Sequence, residues 1–276
     1  MNTDYQLEKI EFCPLCNSPK RKQWNHQAEL LMAVSCDSCN LVYMNNRLTE
    51  DGVARYYSNY NDNRNTVNPD MLEKRRKMYK MDRSFVEMFI HNGSVLDYGG
   101  SSGDFVASLS PSIRKFVFDI DEAALNVGRQ RHQEVKFYHD LSELNDGQLF
   151  DALIFRGTLQ YQRDLKKIVE FCHLHLKEKG YLIFLATPNA DGPAARLQRE
   201  SWVLFNCFEH LYYFTVDTVS TLFSDFDRVY FDFPYIGTPY ENRSNDLDKF
   251  IALCRDEEHQ AHFPFWGSMM NVVLRK

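Results

Sequence analysis

The chain has 276 residues, 44% of them hydrophobic, a net charge of −6 and seven cysteines. That length admits one large domain or a main domain with a small appendage. The acid excess argues against a general attraction to nucleic acid or anionic membrane. No 18-residue apolar run occurs and the first residues, MNTDYQLEKIEF, are polar, so the expectation is a soluble protein of a reducing cytoplasm without membrane partners.

In chain order, the first element is a pair of cysteine turns. CPLCN and CDSCN set Cys13 and Cys16 against Cys36 and Cys39 as C-x2-C, nineteen residues, C-x2-C. Two turns that each offer two thiolates close a tetrahedron around one Zn²⁺, and four sulfurs leave no open position, so the zinc is expected to be structural. Asn17 and Asn40 follow the second cysteine of each pair, where a left-handed backbone is expected. A thioredoxin-like redox pair is the alternative, disfavoured by the two matched pairs. Residues 1–50 form the expected zinc ribbon. Their charges balance, which lowers an RNA-binding role for it. Cys172, Cys207 and Cys254 are scattered and read as buried, reduced core residues.

Residues 51–92 read as a helical lead-in. Tyr56, Tyr57 and Tyr60 read as half-buried aromatics. In KRRKMYKMDR, Lys74, Arg75, Arg76, Lys77, Lys80 and Arg83 form either a patch for a phosphate-bearing acceptor or a solvated helix face balanced by Glu73, Asp82 and Glu87.

From residue 93 short apolar strands alternate with helical stretches: Val95–Tyr98, Lys115–Asp119, Val135–Tyr138, Ala152–Phe155 and Tyr181–Ala186. In DLKKIVEFCHLHLKEKG, Leu165, Ile168, Val169, Cys172 and Leu176 share a helical face, with Gly180 as the expected stop. Such alternation predicts an α/β fold with a mostly parallel sheet that binds ligands at the carboxyl ends of its strands. Asp227–Asp232 and Asn271–Leu274 are expected to pair antiparallel at one edge. Residues 237–266, rich in aromatics, histidine and asparagine, read as an insertion shaping an acceptor site.

VLDYGGSSGDF carries the first of these strands into a glycine-rich turn. Its glycines fit neither the dinucleotide G-x-G-x-x-G spacing nor a P-loop. Asp97 at the strand end suits an ammonium, the small residues allow close approach, and Asp119, twenty residues beyond Gly99, can accept both hydroxyls of a ribose. Together these describe S-adenosylmethionine.

With these motifs the chain resembles the class I S-adenosylmethionine-dependent methyltransferases over residues 70–276. The resemblance implies a Rossmann-like seven-stranded sheet whose last strand is antiparallel. It also implies cofactor contacts from Asp97, Gly99, Gly100, Ser101 and Gly103 in the first motif, and from Asp119 and Ile120 in VFDIDEAAL. Asp140 in FYHDLSEL would meet the adenine amino group, with Leu141 beside it. FDALIFRGTLQYQRDL adds Arg156 and Gly157, and KEKGYLIFLATPN matches the fifth strand. The cysteine pairs with CNLVYMNNRLTEDGVARYYSNY resemble the zinc-ribbon lead-in of bacterial sugar methyltransferases, which implies a saccharide or nucleotide-sugar acceptor in surface-polysaccharide or natural-product biosynthesis.

His210, in SWVLFNCFEHLYYFTVDTV, matches a histidine that faces the acceptor in the family and is the first candidate base, with an ordinary pKa near 6.5. The competing reading is a core histidine beside Tyr212 and Phe214. Tyr161 stands where the family's fourth-strand motif commonly has a histidine, and brings a phenol in its place. Glu209 is either the residue that orients His210 or a surface acid. The alternatives to a small-molecule methyltransferase are an RNA methyltransferase gripping phosphates with the ribbon and basic helix, and a non-enzymatic protein with a degenerate cofactor site.

Overall fold

A computed structural model describes residues 6–27, 31–53, 55–56, 69–144, 147–255 and 265–276. Tyr57, Tyr60 and residues 256–264 of the expected insertion lie outside these. The chain divides into two compact units. One gathers the residues up to Lys74 with 188–218 and 235–269; the other gathers 75–187, 219–234 and 270–276. No helix among the described residues is long and apolar enough to cross a membrane.

The first unit is built on antiparallel strands. β1 (Leu7–Lys9) pairs with β5 (Asn46–Leu48). β2 (Arg21–Gln27), β3 (Leu31–Cys36) and β4 (Val42–Met44) form a meander extended by the two-residue β11 (Tyr212–Tyr213). Their inward faces bury Leu31, Ala33, Val42 and Met44 with Trp202, Phe205, Cys207 and Tyr213, an aromatic-rich core that a small unit needs. A helix, Arg243–Cys254, belongs to this unit. Cys254 ends it and is exposed, so the expectation of a buried core cysteine fails there; Cys172 and Cys207 are buried as expected.

The second unit is the α/β sheet that strand–helix alternation predicts. It contains β6 (Gly93–Tyr98), β7 (Ile113–Phe118), β8 (Val135–Tyr138), β9 (Phe150–Arg156), β10 (Leu176–Pro188), β12 (Asp227–Asp232) and β13 (Met269–Arg275). Their order is β12-β13-β10-β9-β6-β7-β8, with β13 antiparallel to β12. The central strands are buried on both faces, so they read as near-continuous apolar runs. Helices α1 (Pro69–Val86), α2 (Asp104–Ala107), α3 (Glu122–Arg131) and α4 (Leu165–His175) accompany the sheet, and Phe85, Val86, Phe105 and Leu125 join its core. Asp121 and Asp164 cap α3 and α4 by accepting from two backbone N–H groups each.

Two sequence expectations fail locally. Helix α4 stops at His175, before Gly180, because Leu176 already pairs with Phe150 of β9; Gly180 lies inside β10, after the left-handed Lys179. Asp82 does not balance the basic helix from solvent. It sits on the same face of α1 as Met78, Phe85 and Val86 and is buried with them.

Candidate functional site

The turn after β6 is shaped around Asp97. Gly99 is left-handed (φ 78°), and a Cβ there would lie 2.5 Å from Thr158 Cγ2. At Gly100 a Cβ would lie 2.8 Å from Asp97 Oδ2, so the glycine makes room for the carboxyl group. The Gly99 N–H donates to the Phe118 carbonyl at 2.7 Å, which ties the turn to the end of β7. Ser101 adopts φ 52°, an uncommon conformation for a non-glycine residue, and its N–H donates to Asp119 Oδ2 at 2.7 Å. Asp119 Oδ1 in turn accepts from the Asp121 N–H at 2.9 Å. The serine thus helps hold the Asp119 carboxylate at the end of β7.

Asp97 is fully buried, and its Oδ1 has no hydrogen-bond partner. Burial pushes its carboxyl from 3.8 up to about 7, against the pull of Arg156 and with a further rise from Asp119 and Asp82. A buried carboxylate with an orphaned oxygen is a ready receptor for a cationic donor. Beside Asp119, Ile120 is 81% exposed, an isolated apolar side chain at the rim. Asp140, after β8, is exposed and caps a 3₁₀ turn, Leu141–Glu143, accepting from the Ser142 N–H while Glu143 reaches back to its own N–H. Gly157 follows β9 with φ 64°, its N–H bonded to the Leu185 carbonyl.

Arg156 is committed elsewhere in the same unit. Its Nε donates to Asp82 Oδ2 at 2.8 Å, and its guanidinium lies 4.6 Å from the centre of the Tyr79 ring. Asp82 and Tyr79 were invisible as site residues from motifs alone. The signal that would have found Asp82 is its place at helical spacing from Met78, Phe85 and Val86, where an acid is buried and needs a partner. Tyr161 is half-buried in a 3₁₀ turn, Leu159–Tyr161, at the end of β9.

His210 belongs to the first unit. It is buried with its ring edge-on to Tyr213, 5.6 Å between centres. Burial lowers its pKa to about 4, a hydrogen bond with the Leu204 backbone working the other way, so the ordinary value read from the sequence does not hold. Glu209 accepts from the Tyr56 hydroxyl at 3.3 Å, and Tyr56 stacks on Phe208.

The four clustered cysteines lie together. Their sulfurs are all within 4.8 Å of one another, with Cys13–Cys39 and Cys16–Cys36 both at 3.5 Å. A tetrahedral zinc with bonds of about 2.3 Å requires sulfur separations of about 3.8 Å, so the arrangement fits. Asn17 and Asn40 are left-handed as expected, φ 59° and 62°, and return their N–H groups to the Cys13 and Cys36 carbonyls. Burial pushes the Cys13 thiol up to about 11. At Cys36 burial is outweighed by backbone N–H groups of Ser38 and Cys39, which bring it down to about 7.

Comparison with known proteins agrees with this geometry. A family described as a methyltransferase domain matches residues 71–227. A search of curated proteins found no match. Among solved structures, a Haloferax volcanii methyltransferase in complex with the activator Trm112 aligns with a TM-score of 0.54 at 13% identity, covering 75% of this chain and 92% of that one. A Thermotoga maritima S-adenosylmethionine-dependent methyltransferase aligns with a TM-score of 0.52 at 15% identity, covering 81% and 96%. At these identities the likeness is one of fold. The family match spans more than half of the chain, and the chain therefore belongs to the class I S-adenosylmethionine-dependent methyltransferases.

Proposed function

We propose that this enzyme transfers the methyl group of S-adenosylmethionine to a small-molecule acceptor, a saccharide or nucleotide-sugar. The observation that carries the cofactor half is Asp97, buried behind two glycines with one carboxylate oxygen unpartnered. In this reading Asp97 receives the ammonium of the cofactor, Asp119 the ribose hydroxyls and Asp140 the adenine amino group. Ile120 and Leu141 pack on the adenine, and Gly99, Gly100, Ser101, Gly103 and Gly157 leave room for the ligand. Arg156 acts on the site through its field at Asp97. The cofactor supplies an already activated sulfonium methyl; the chain supplies alignment and exclusion of water.

His210, kept neutral by its low pKa, is proposed as the group that receives the acceptor's proton, and the Tyr161 phenol as a hydrogen-bond partner of the acceptor. Cys13, Cys16, Cys36 and Cys39 hold a structural zinc, which would supply much of the folding free energy of so small a segment. The saccharide assignment rests on the resemblance of the cysteine-rich lead-in to sugar methyltransferases.

Titration with S-adenosylhomocysteine tests the cofactor half: micromolar binding is expected, and its absence in zinc-loaded, folded protein would defeat the proposal. Methyl transfer from radiolabelled S-adenosylmethionine to a panel of nucleotide-sugars tests the acceptor half. The exposed Lys74, Arg75, Arg76 and Lys80 on α1 support a second reading, an RNA acceptor. RNA binding that weakens steeply with salt would favour it over the saccharide.

A further inference from the structure

The sheet order divides the carboxyl rim of the second unit in two. From β6 to β8 the strand ends carry Asp97, Asp119 and Asp140, the positions proposed for the cofactor. Beyond β6 the rim is made by Gly157 after β9, Ala186 and Thr187 in β10, and Asp232 of β12; β13, running the other way, brings Asn271 to the same rim.

Gly157, Gln160, Ala186, Asn271 and Asp232 form one linked group, and Thr187 follows Ala186 in the chain. A Cβ at Gly157 would lie 3.7 Å from the Ala186 carbonyl oxygen and 4.0 Å from Gln160 Nε2, so the three meet at the rim. The Ala186 N–H donates to Asn271 Oδ1 at 3.1 Å. Asn271 stands opposite Asp232 in the strand register and hydrogen-bonds its carboxylate. Along this group three oxygens are buried without a partner: Gln160 Oε1, Thr187 Oγ1 and Asp232 Oδ1. Gln160 and Thr187 are 3% and 0% exposed, and the Gln160 amide nitrogen is already spent on the Gly157 carbonyl. Buried oxygens are nearly always paired, so this row calls for donors from outside the protein.

Charge narrows the donor. Asp82 and Asp232 repel each other, and Arg156 is bonded to Asp82. A hydroxyl brings one donor and no charge; an ammonium brings three donors and the countercharge.

Resting on the methyltransferase reading above, we propose that the acceptor carries an amino group, which Asp232 receives as an ammonium while Thr187 and Gln160 take further N–H donors. Asn271 holds the Asp232 carboxylate in place and is a positioning residue. Burial and Asp82 both raise the Asp232 pKa, and a bound cation relieves both.

The test uses two fragment probes that differ at one polar group, ethanolamine and ethylene glycol, at matched ionic strength. S-adenosylhomocysteine is titrated first, and its complex is then melted with each probe. Ethanolamine at about ten times its dissociation constant is expected to raise the midpoint by a few degrees, with no rise from ethylene glycol. In Asp232→Asn the rise should vanish while S-adenosylhomocysteine binds as before, which also shows that the variant is folded. Equal effects of the two probes, no effect of ethanolamine, an effect that survives in Asp232→Asn, or a rise with Mg²⁺ in its place would each overturn the inference. Failure to bind S-adenosylhomocysteine at all would overturn the cofactor reading together with the inference that rests on it.

Discussion

Arg156 Nε and Asp82 Oδ2 meet at 2.8 Å in a pair whose carboxylate side is almost wholly buried. Burial raises the Asp82 pKa and the guanidinium opposes that rise. Removing the guanidinium alone leaves an uncompensated buried charge, and Arg156→Met should cost about 3–5 kcal/mol. Denaturant unfolding of this variant, with Asp82→Asn plus Arg156→Met as the partial rescue, measures the effect.

Asp97 should make the ligand-free enzyme less stable as pH rises. Its folded value, about 7, lies above the 3.8 of an ordinary carboxyl, so its stabilising share is complete below about pH 4 and is lost as pH rises to 7. The shift corresponds to about 4 kcal/mol. Asp97→Asn should therefore melt higher than the parent at pH 8, match it near pH 4, and bind S-adenosylhomocysteine far more weakly. Thermal melts at the two pH values and calorimetry decide this.

Asp119→Ala should weaken S-adenosylhomocysteine by about a hundredfold, since two hydrogen bonds to a charged acceptor are lost. It also strips the partners from the Ser101 and Asp121 N–H groups, so the turn should loosen. Calorimetric titration gives the affinity, and amide exchange at Ser101 gives the loosening.

Purified protein should carry about one zinc per chain. Cys16→Ser and Cys39→Ser should each reduce that content to near zero and lower the melting temperature, and a chelator should do the same to the parent. Elemental analysis with melting curves checks both.

His210→Gln should lower kcat by about a hundredfold and leave S-adenosylhomocysteine affinity unchanged if the imidazole takes the acceptor's proton. Because burial holds the group near 4, its share of the pH–rate profile should stay flat from pH 8 to about pH 5. A loss of stability with kcat intact would identify His210 as a core residue instead.

The central strands were legible because they are apolar on both faces: Val95–Tyr98 lies within Gly93–Tyr98 and Ala152–Phe155 within Phe150–Arg156. The cysteine turns were legible because their spacing and the two asparagines carry local geometry. Gly180 misled because a strand partner, Phe150, captures the chain at Leu176 before the glycine is reached. Asp82 and Asp232 escaped notice because their significance depends on partners 74 residues away, Arg156, and 39 residues away, Asn271. The rounded His210 value failed for the same reason, since its pKa is set by what surrounds it.

The strand order has a consequence for how such an enzyme changes over time. The positions proposed for the adenosine and methionine contacts come from 97–157, whereas Thr187, Asp232 and Asn271 come from separate, later stretches of the chain. Substitutions in the later stretches leave the earlier loops intact, so a lineage can exchange one acceptor for another without relearning how to hold its methyl donor.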